Sequence, residues 1–323
     1  MEPAAIEQKD ESAPAIRAGG VPVAFAIMLA LIAAAPFVTY PLFVMQVLCF
    51  ALFACAFNLL IGYVGLLSFG HALYFGWASY VCAHTAKVWG LPPELAILTG
   101  AAFACGCGIV AGSLAIRRQG IYFAMITLAL AQMMYFFALQ AKFTGGEDGI
   151  QGVPRGKMFG VLDLGNELVM YYVTAAIFLT GFLLIYRIIH SPFGEVLKAI
   201  RENEARAISL GYKTDRYKLM AFVLSATLAG VAGATKAIVL QQASLTDVNW
   251  PMSGEVVLIA LLGGLGTLFG PVLGALIILA MQYKLSSFGE WVLVAQGAIF
   301  VLCVLLFRRG IVGEIANFFR IRL

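Results

Sequence analysis

Residues 191–218 read SPFGEVLKAIRENEARAISLGYKTDRYK, and ten of these 28 positions are charged in a chain that is 12% charged and 62% hydrophobic. Acids and bases at helical spacing exchange ion pairs and hydrogen bonds with a surface laid against them. Enzymatic chemistry has less support. The three histidines, His71, His84 and His190, fall in separate segments, and neither G-x-S-x-G nor H-E-x-x-H occurs. The six cysteines lie inside apolar runs without C-x-x-C spacing, so packing is the expected role and neither a metal nor a cofactor is expected. No G-x-x-x-x-G-K-[ST] is present, so ATP binding through a P-loop is not expected of this chain.

The elements that must position the charged stretch are apolar. Mean hydropathy is +0.92, and apolar runs long enough to cross about 30 Å of hydrocarbon recur throughout. Such runs predict an all-α polytopic membrane protein and argue against a barrel, whose strands alternate over about ten residues. The net charge of +4 is too small to suggest nucleic acid as a partner. The expected spans are 21–39, 41–61, 66–86, 92–115, 121–141, 168–189, 219–240 and 291–307. The run 253–283 is long for one span, and its middle, LGGLGTLFGP, is a poor helix. Splitting it into 253–262 and 271–283 gives about ten transmembrane segments, with a re-entrant hairpin as the alternative.

Ten crossings put both termini on one side. If that side is the cytoplasm, 15 of the 21 Lys and Arg lie inside, five outside and Lys236 within a helix, in accord with the positive-inside rule. The expected layout is a disordered cytoplasmic tail over 1–20 and a transmembrane domain over 21–307. That domain carries a cytoplasmic loop at 190–218 and an outer loop at 142–167, and a cytoplasmic tail follows at 308–323.

Within 191–211 the pattern predicts an amphipathic helix starting near Pro192 and ending at Gly211. Phe193, Val196, Leu197, Ile200, Ala207 and Ile208 share one side, opposite Glu195, Lys198, Glu202 and Arg206. A connector lying on the bilayer and a docking helix for a cytoplasmic partner both fit. Glu204 on the apolar side favours docking, because a protein donor could satisfy it and lipid could not. A break near Asn203 would weaken that argument. Polar groups inside spans are costly and mark candidate pathway residues: Asn58, Ser68, His71, Thr127, Gln132, Lys236 and Glu255. For these, packing readings stand beside the functional one: His71 bonded to a carbonyl, Ser68 and Thr127 bonding between helices, Lys236 snorkelling outward, and Glu255 at a helix N-terminus. Gly266, Gly270 and Gly274, like Gly108 and Gly112, recur every four residues and predict close helix contacts.

Four motifs in order carry a family resemblance: NLLIGYVGLLSFGHALYFGWASY, GIYFAMITLALAQM followed by TGGEDGIQGVP, the charged stretch continued through LMAFVLSATLAGVAG, and LIALLGGLGTLFGPVLGAL. Together they resemble the M-type permease subunits of bacterial ABC importers for branched-chain amino acids. The resemblance implies a multi-pass protein of the bacterial inner membrane. It implies a pore shared with a homologous H-type permease, two cytoplasmic ATPases and a periplasmic substrate-binding protein. The charged stretch would be the ATPase-coupling loop, with Gly194, Glu195, Ala199, Arg201, Glu202, Glu204 and Gly211 as the coupling residues. Asn58, Ser68, His71, Thr127 and Glu255 would belong to the translocation pathway, and Glu147, Asp148 and Arg155 would meet the binding protein. Relatives within this class carry urea, amides or aromatic acids, so those cargoes remain alternatives. A self-sufficient secondary transporter is the rival class; it predicts internal repeats and buried ion sites.

Overall fold

The computed structural model describes residues 20–285 and 310–319, with isolated positions 294, 297, 298, 301 and 305 between them. Twelve α-helices are described: α1 Gly20–Val38, α2 Pro41–Tyr63, α3 His71–Lys87, α4 Pro93–Ala115, α5 Ile121–Gln140, α6 Glu167–Ile189, α7 Pro192–Glu202, α8 Glu204–Ser209, α9 Thr214–Val239, α10 Trp250–Gly263, α11 Gly270–Leu285 and α12 Gly310–Phe319. Prolines at the starts of α2, α4, α7 and α10 occupy first-turn positions, where a missing N–H costs nothing. Five helices, α2, α4, α5, α6 and α9, are long and apolar enough to cross a membrane; α1, α10 and α11 are shorter apolar helices. The chain is a multi-pass membrane protein. Most of the expected 291–307 span, Cys303 and residues 1–19 of the N-terminal tail lie outside the described residues.

Helices α2, α3 and α9 form the centre. In α2 the apolar window is 83% buried, against 28% in the peripheral α5. Small residues set the contact distances. A Cβ on Gly233 of α9 would lie 1.9 Å from the Phe75 carbonyl oxygen of α3, and one on Gly108 of α4 would lie 2.8 Å from Ala226 of α9. Backbones this close gain dispersion contacts that large side chains would block.

The described helix ends and loops sort to two ends of the bundle. At one end the α10–α11 turn meets the C-terminus of α2 and α7: Asn58 Nδ2 donates to Thr267 O (2.9 Å), and Arg201 donates to Gly62 O. At the other, β1 (Ile150–Gln151) pairs antiparallel with β4 (Gln242–Ala243), and β2 (Lys157–Met158) pairs with β3 (Leu162–Asp163). Lys87 Nζ donates to Gln151 O (2.6 Å) at this second end. The split of 253–283 is observed. Helix α11 runs back along α2 until Tyr283 meets Phe43, 5.3 Å between ring centroids and two residues past the start of α2. Helix α11 thus extends along α2 nearly to its start. Gly310 packs on Gly264, so Leu285 and Gly310 lie at opposite ends.

Three expectations need correction. The third span does not start at 66: residues 64–70 are non-helical, and α3 begins at His71, opposite Ser225 midway along α9. Non-helical backbone at that depth survives only where protein satisfies it. Here Phe69 N donates to Thr127 Oγ1 (3.2 Å), and Ala72 N donates to Ser253 Oγ (2.9 Å). The amphipathic segment is two helices, because Asn203 (φ −157°, ψ 98°) leaves the helical region. The 266–270–274 glycines make no continuous helix stripe. Gly266 sits in the turn at φ +75°, and only Gly270 and Gly274 are helical.

Candidate functional site: the α7–α8 loop and the intramembrane polar groups

Ser191 caps α7, its Oγ accepting from Gly194 N (3.4 Å). Leu197 and Ile200 are buried beneath it, and a Cβ on Gly194 would lie 2.3 Å from Ile189 O, so this end of α7 is seated on the backbone of α6. Asn203 then ends one helix and starts the next, with Oδ1 accepting from Arg206 N (3.0 Å). Asparagine at this position offers the new helix an acceptor for an orphan N–H. Gly211 lies beyond α8 at φ +90°, and its N–H bonds Ile208 O (2.9 Å).

The break changes what faces out. Ile208, expected on the buried side, is 55% exposed, with Leu210 at 69% and Tyr212 at 41%. Glu195, Ala199, Glu202, Ala205 and Arg206 are exposed on the same loop. Lys198 bonds Glu195 (2.8 Å) and holds its carboxyl below the usual range. Glu204, on the first turn of α8, accepts from Lys218, from Thr214 (3.2 Å) and from Gln119 Nε2 (2.8 Å). Its donors belong to this chain, so its position gives no argument for an external donor. Arg201 lies between two glycine turns, reaching Gly62 O at the end of α2 and packing against Gly65 and Gly266. The loop is thereby joined to α2, to the α4–α5 connection, to α9 and to the α10–α11 turn.

The candidate pathway residues are dispersed and mostly engaged. Asn58 also accepts from Gly266 N (3.0 Å), pinning the glycine turn. Ser68 accepts from Gly70 N (3.2 Å) within its own loop, so it bonds no second helix. Thr127 donates to Ala124 O (2.9 Å) and accepts from Phe69 N. His71 is fully buried and bonds the Ser225 hydroxyl (2.8 Å), not a carbonyl. Ser225 donates its one proton to Ala56 O (2.5 Å), so His71 Nε2 carries the hydrogen it shares with Ser225. Glu255 lies on the second turn of α10, away from the helix start, and accepts from Gln282 of α11 (2.9 Å). Gln132 is half-buried. On the opposite end Glu147 and Asp148 are exposed, while Arg155 donates to Val239 O (2.9 Å) at the end of α9.

Lys236 does not snorkel. It is buried, ion-paired with Asp247, and its Nζ lies 5.8 and 5.6 Å from the Phe50 and Phe75 ring centroids. Asp247, 1% exposed on the turn before α10, was not among the expected residues. The signal available was Lys236 itself: a cation in a span needs a counter-ion, and TDVNW is the nearest acid-bearing stretch. Among the described residues no group of three or more His, Cys, Asp or Glu could hold a metal ion.

Comparison with known proteins gives the family. The chain is 26% identical over 271 residues to the high-affinity branched-chain amino acid transport system permease protein LivM of Escherichia coli, covering 77% of this chain and 64% of that protein. It is 30% identical over 235 residues to the ribose import permease protein RbsC of Bacillus subtilis, covering 68% of this chain and 70% of that one. It is 26% identical over 237 residues to the probable branched-chain amino acid transport permease protein LivH of Methanocaldococcus jannaschii, covering 67% and 72%. This chain therefore spans just under two thirds of the length of the E. coli relative. No solved structure matches it at a significant level. The profile of the family described as branched-chain amino acid transport system / permease component matches residues 41–306. With a match over most of its length, and with the membrane helices already described, this chain belongs to that permease family.

Proposed function

We propose that this chain is a permease subunit of an ATP-driven importer in the bacterial inner membrane, carrying branched-chain amino acids. In this reading it shares its pathway with a homologous H-type permease. Two cytoplasmic ATPases dock on the α7–α8 loop, and a periplasmic binding protein delivers cargo to the opposite end. Beside the family match, one observation carries the reading. The loop that is buried through Gly194, Leu197 and Ile200 also presents exposed apolar side chains, Ile208, Leu210 and Tyr212. Exposed apolar surface rimmed by charge marks a protein contact. Movement of the ATPases would reach the spans through Arg201 and Glu204, whose partners lie on α2, α9 and the α4–α5 connection.

The test is co-purification from detergent of the tagged full chain and of an Ile208→Glu/Leu210→Glu variant, expressed with its neighbouring transport subunits. The second permease is expected with both forms and the ATPases with the unaltered form alone. ATPases recovered equally with both would remove the loop from the contact. A second reading, with a sugar as cargo, is favoured by the 30% identity to the ribose permease. Uptake of labelled leucine, isoleucine and valine, with ribose as competitor, separates the two cargoes.

A further inference from the structure

The β2–β3 hairpin at the outer-loop end turns on Phe159, at φ 51°, followed by Gly160 at φ 71°. A bulky aromatic residue in the left-handed region is strained where glycine or asparagine would not be. Such strain persists only where its surroundings impose it. Here Phe159 N donates to Glu94 Oε1 on the first turn of α4 (3.2 Å), Leu164 N donates to Gly156 O (3.2 Å), and Leu164 is buried at the base. The frame is fixed, yet the side chains it presents are not covered. Phe159 is 69% exposed, Val161 83% and Leu162 42%.

The position of the tip indicates what covers it. Glu94 holds it, and Leu98, one helical turn further along the same side of α4, is 63% exposed on a face that also carries exposed isoleucine, valine and leucine, a surface suited to lipid. The tip therefore continues the exposed apolar surface of α4 outward. Trp89, just past α3, and Tyr172, in the second turn of α6, are also exposed at this end. Exposed aromatic residues at one end of several helices are the pattern found at the headgroup region. At the base of the hairpin Lys157 and Asp163 stand opposite each other, both exposed. A lysine there is placed to meet a lipid phosphate.

We propose that the 157–163 hairpin is a membrane-interface anchor. Phe159, Val161 and Leu162 insert at the boundary between headgroups and acyl chains of the outer leaflet, and the outer loop is held at a fixed height above α4. The inference is independent of cargo and of the ATPase contact.

The experiment places the photo-crosslinking residue p-benzoylphenylalanine singly at Phe159, Val161, Leu98 and Glu147 of the full chain in native membranes. Adducts are read by mass spectrometry after irradiation. Leu98, facing lipid, calibrates the yield, and Glu147, exposed beyond the other turn of the loop, serves as the aqueous control. Phospholipid adducts at 159 and 161, at yields comparable to Leu98 and above Glu147, are the expected result. Two results would overturn the anchor: lipid adducts at Leu98 with none at 159 and 161, or adducts at 159 and 161 to a soluble protein. The second would make the tip a docking surface instead.

Discussion

Lys236 places an ammonium among the rings of Phe50 and Phe75, where its compensation is Asp247. Removing one member of a buried pair leaves the other charge uncompensated, at a cost of roughly 3–5 kcal/mol, whereas replacing both by apolar groups is often neutral or better. Lys236→Met alone should therefore lower the thermal unfolding midpoint of the detergent-extracted chain sharply, and Lys236→Met/Asp247→Leu should recover it. If the double variant melts as low as the single, the pair is not the reason for the loss. Transport by the recovered double variant then separates packing from function. Uptake near the unaltered level makes the pair a structural clasp between α9 and the turn before α10; stable protein without uptake gives the pair a role in the cycle.

At the scale of elements, the α7–α8 loop behaves as one piece because Glu204 joins α8 to Lys218, Thr214 and Gln119. Glu204→Ala deletes all three contacts and leaves Lys218 buried without its carboxylate. The expected outcome is local: faster proteolytic cleavage within 203–213, unchanged insertion, and less uptake per ATP hydrolysed in the reconstituted system. Unaltered cleavage and stoichiometry would show that α8 is held by its apolar contacts alone. Five of the expected spans, those of α2, α4, α5, α6 and α9, and the split at LGGLGTLFGP were legible in the sequence because apolar length and glycine content are local properties. The unwound stretch 64–70 was not, since Leu66 and Leu67 read as helix and the groups that hold it open, Thr127 and Ser253, are remote in sequence. Asp247 was hidden in the same way, by lying in a stretch that reads as an ordinary polar loop. The break at Asn203 could be anticipated from residue type, but the exposure of Ile208 followed only from its geometry.

For the whole molecule, the separation of the two ends makes a prediction about charge. Arg117, Arg118, Arg187 and the basic residues of the α7–α8 loop lie at the end where Arg201 meets α2 and the α10–α11 turn. Lys87, Lys142, Arg155 and Lys157 lie at the end where β1 pairs with β4. Positive charge accumulates on the cytoplasmic side of inner-membrane proteins because translocating it is disfavoured. The α7–α8 end is therefore expected in the cytoplasm and the hairpin end outside. Fusions of an enzyme active only outside the membrane, made after Gly149 and after Ser191, test this directly: the first should be active and the second silent, with the reverse pattern for a fluorescent protein that folds only inside. One crossing, α6, separates the two positions. Activity on the same side for both would mean that α6 does not cross. Exchange of the two signals would keep the bundle intact but invert it, placing the exposed Ile208–Tyr212 surface where no cytoplasmic ATPase could reach it. Either result would overturn the proposed coupling role, and only the expected pattern leaves both ends facing the partners that the function requires.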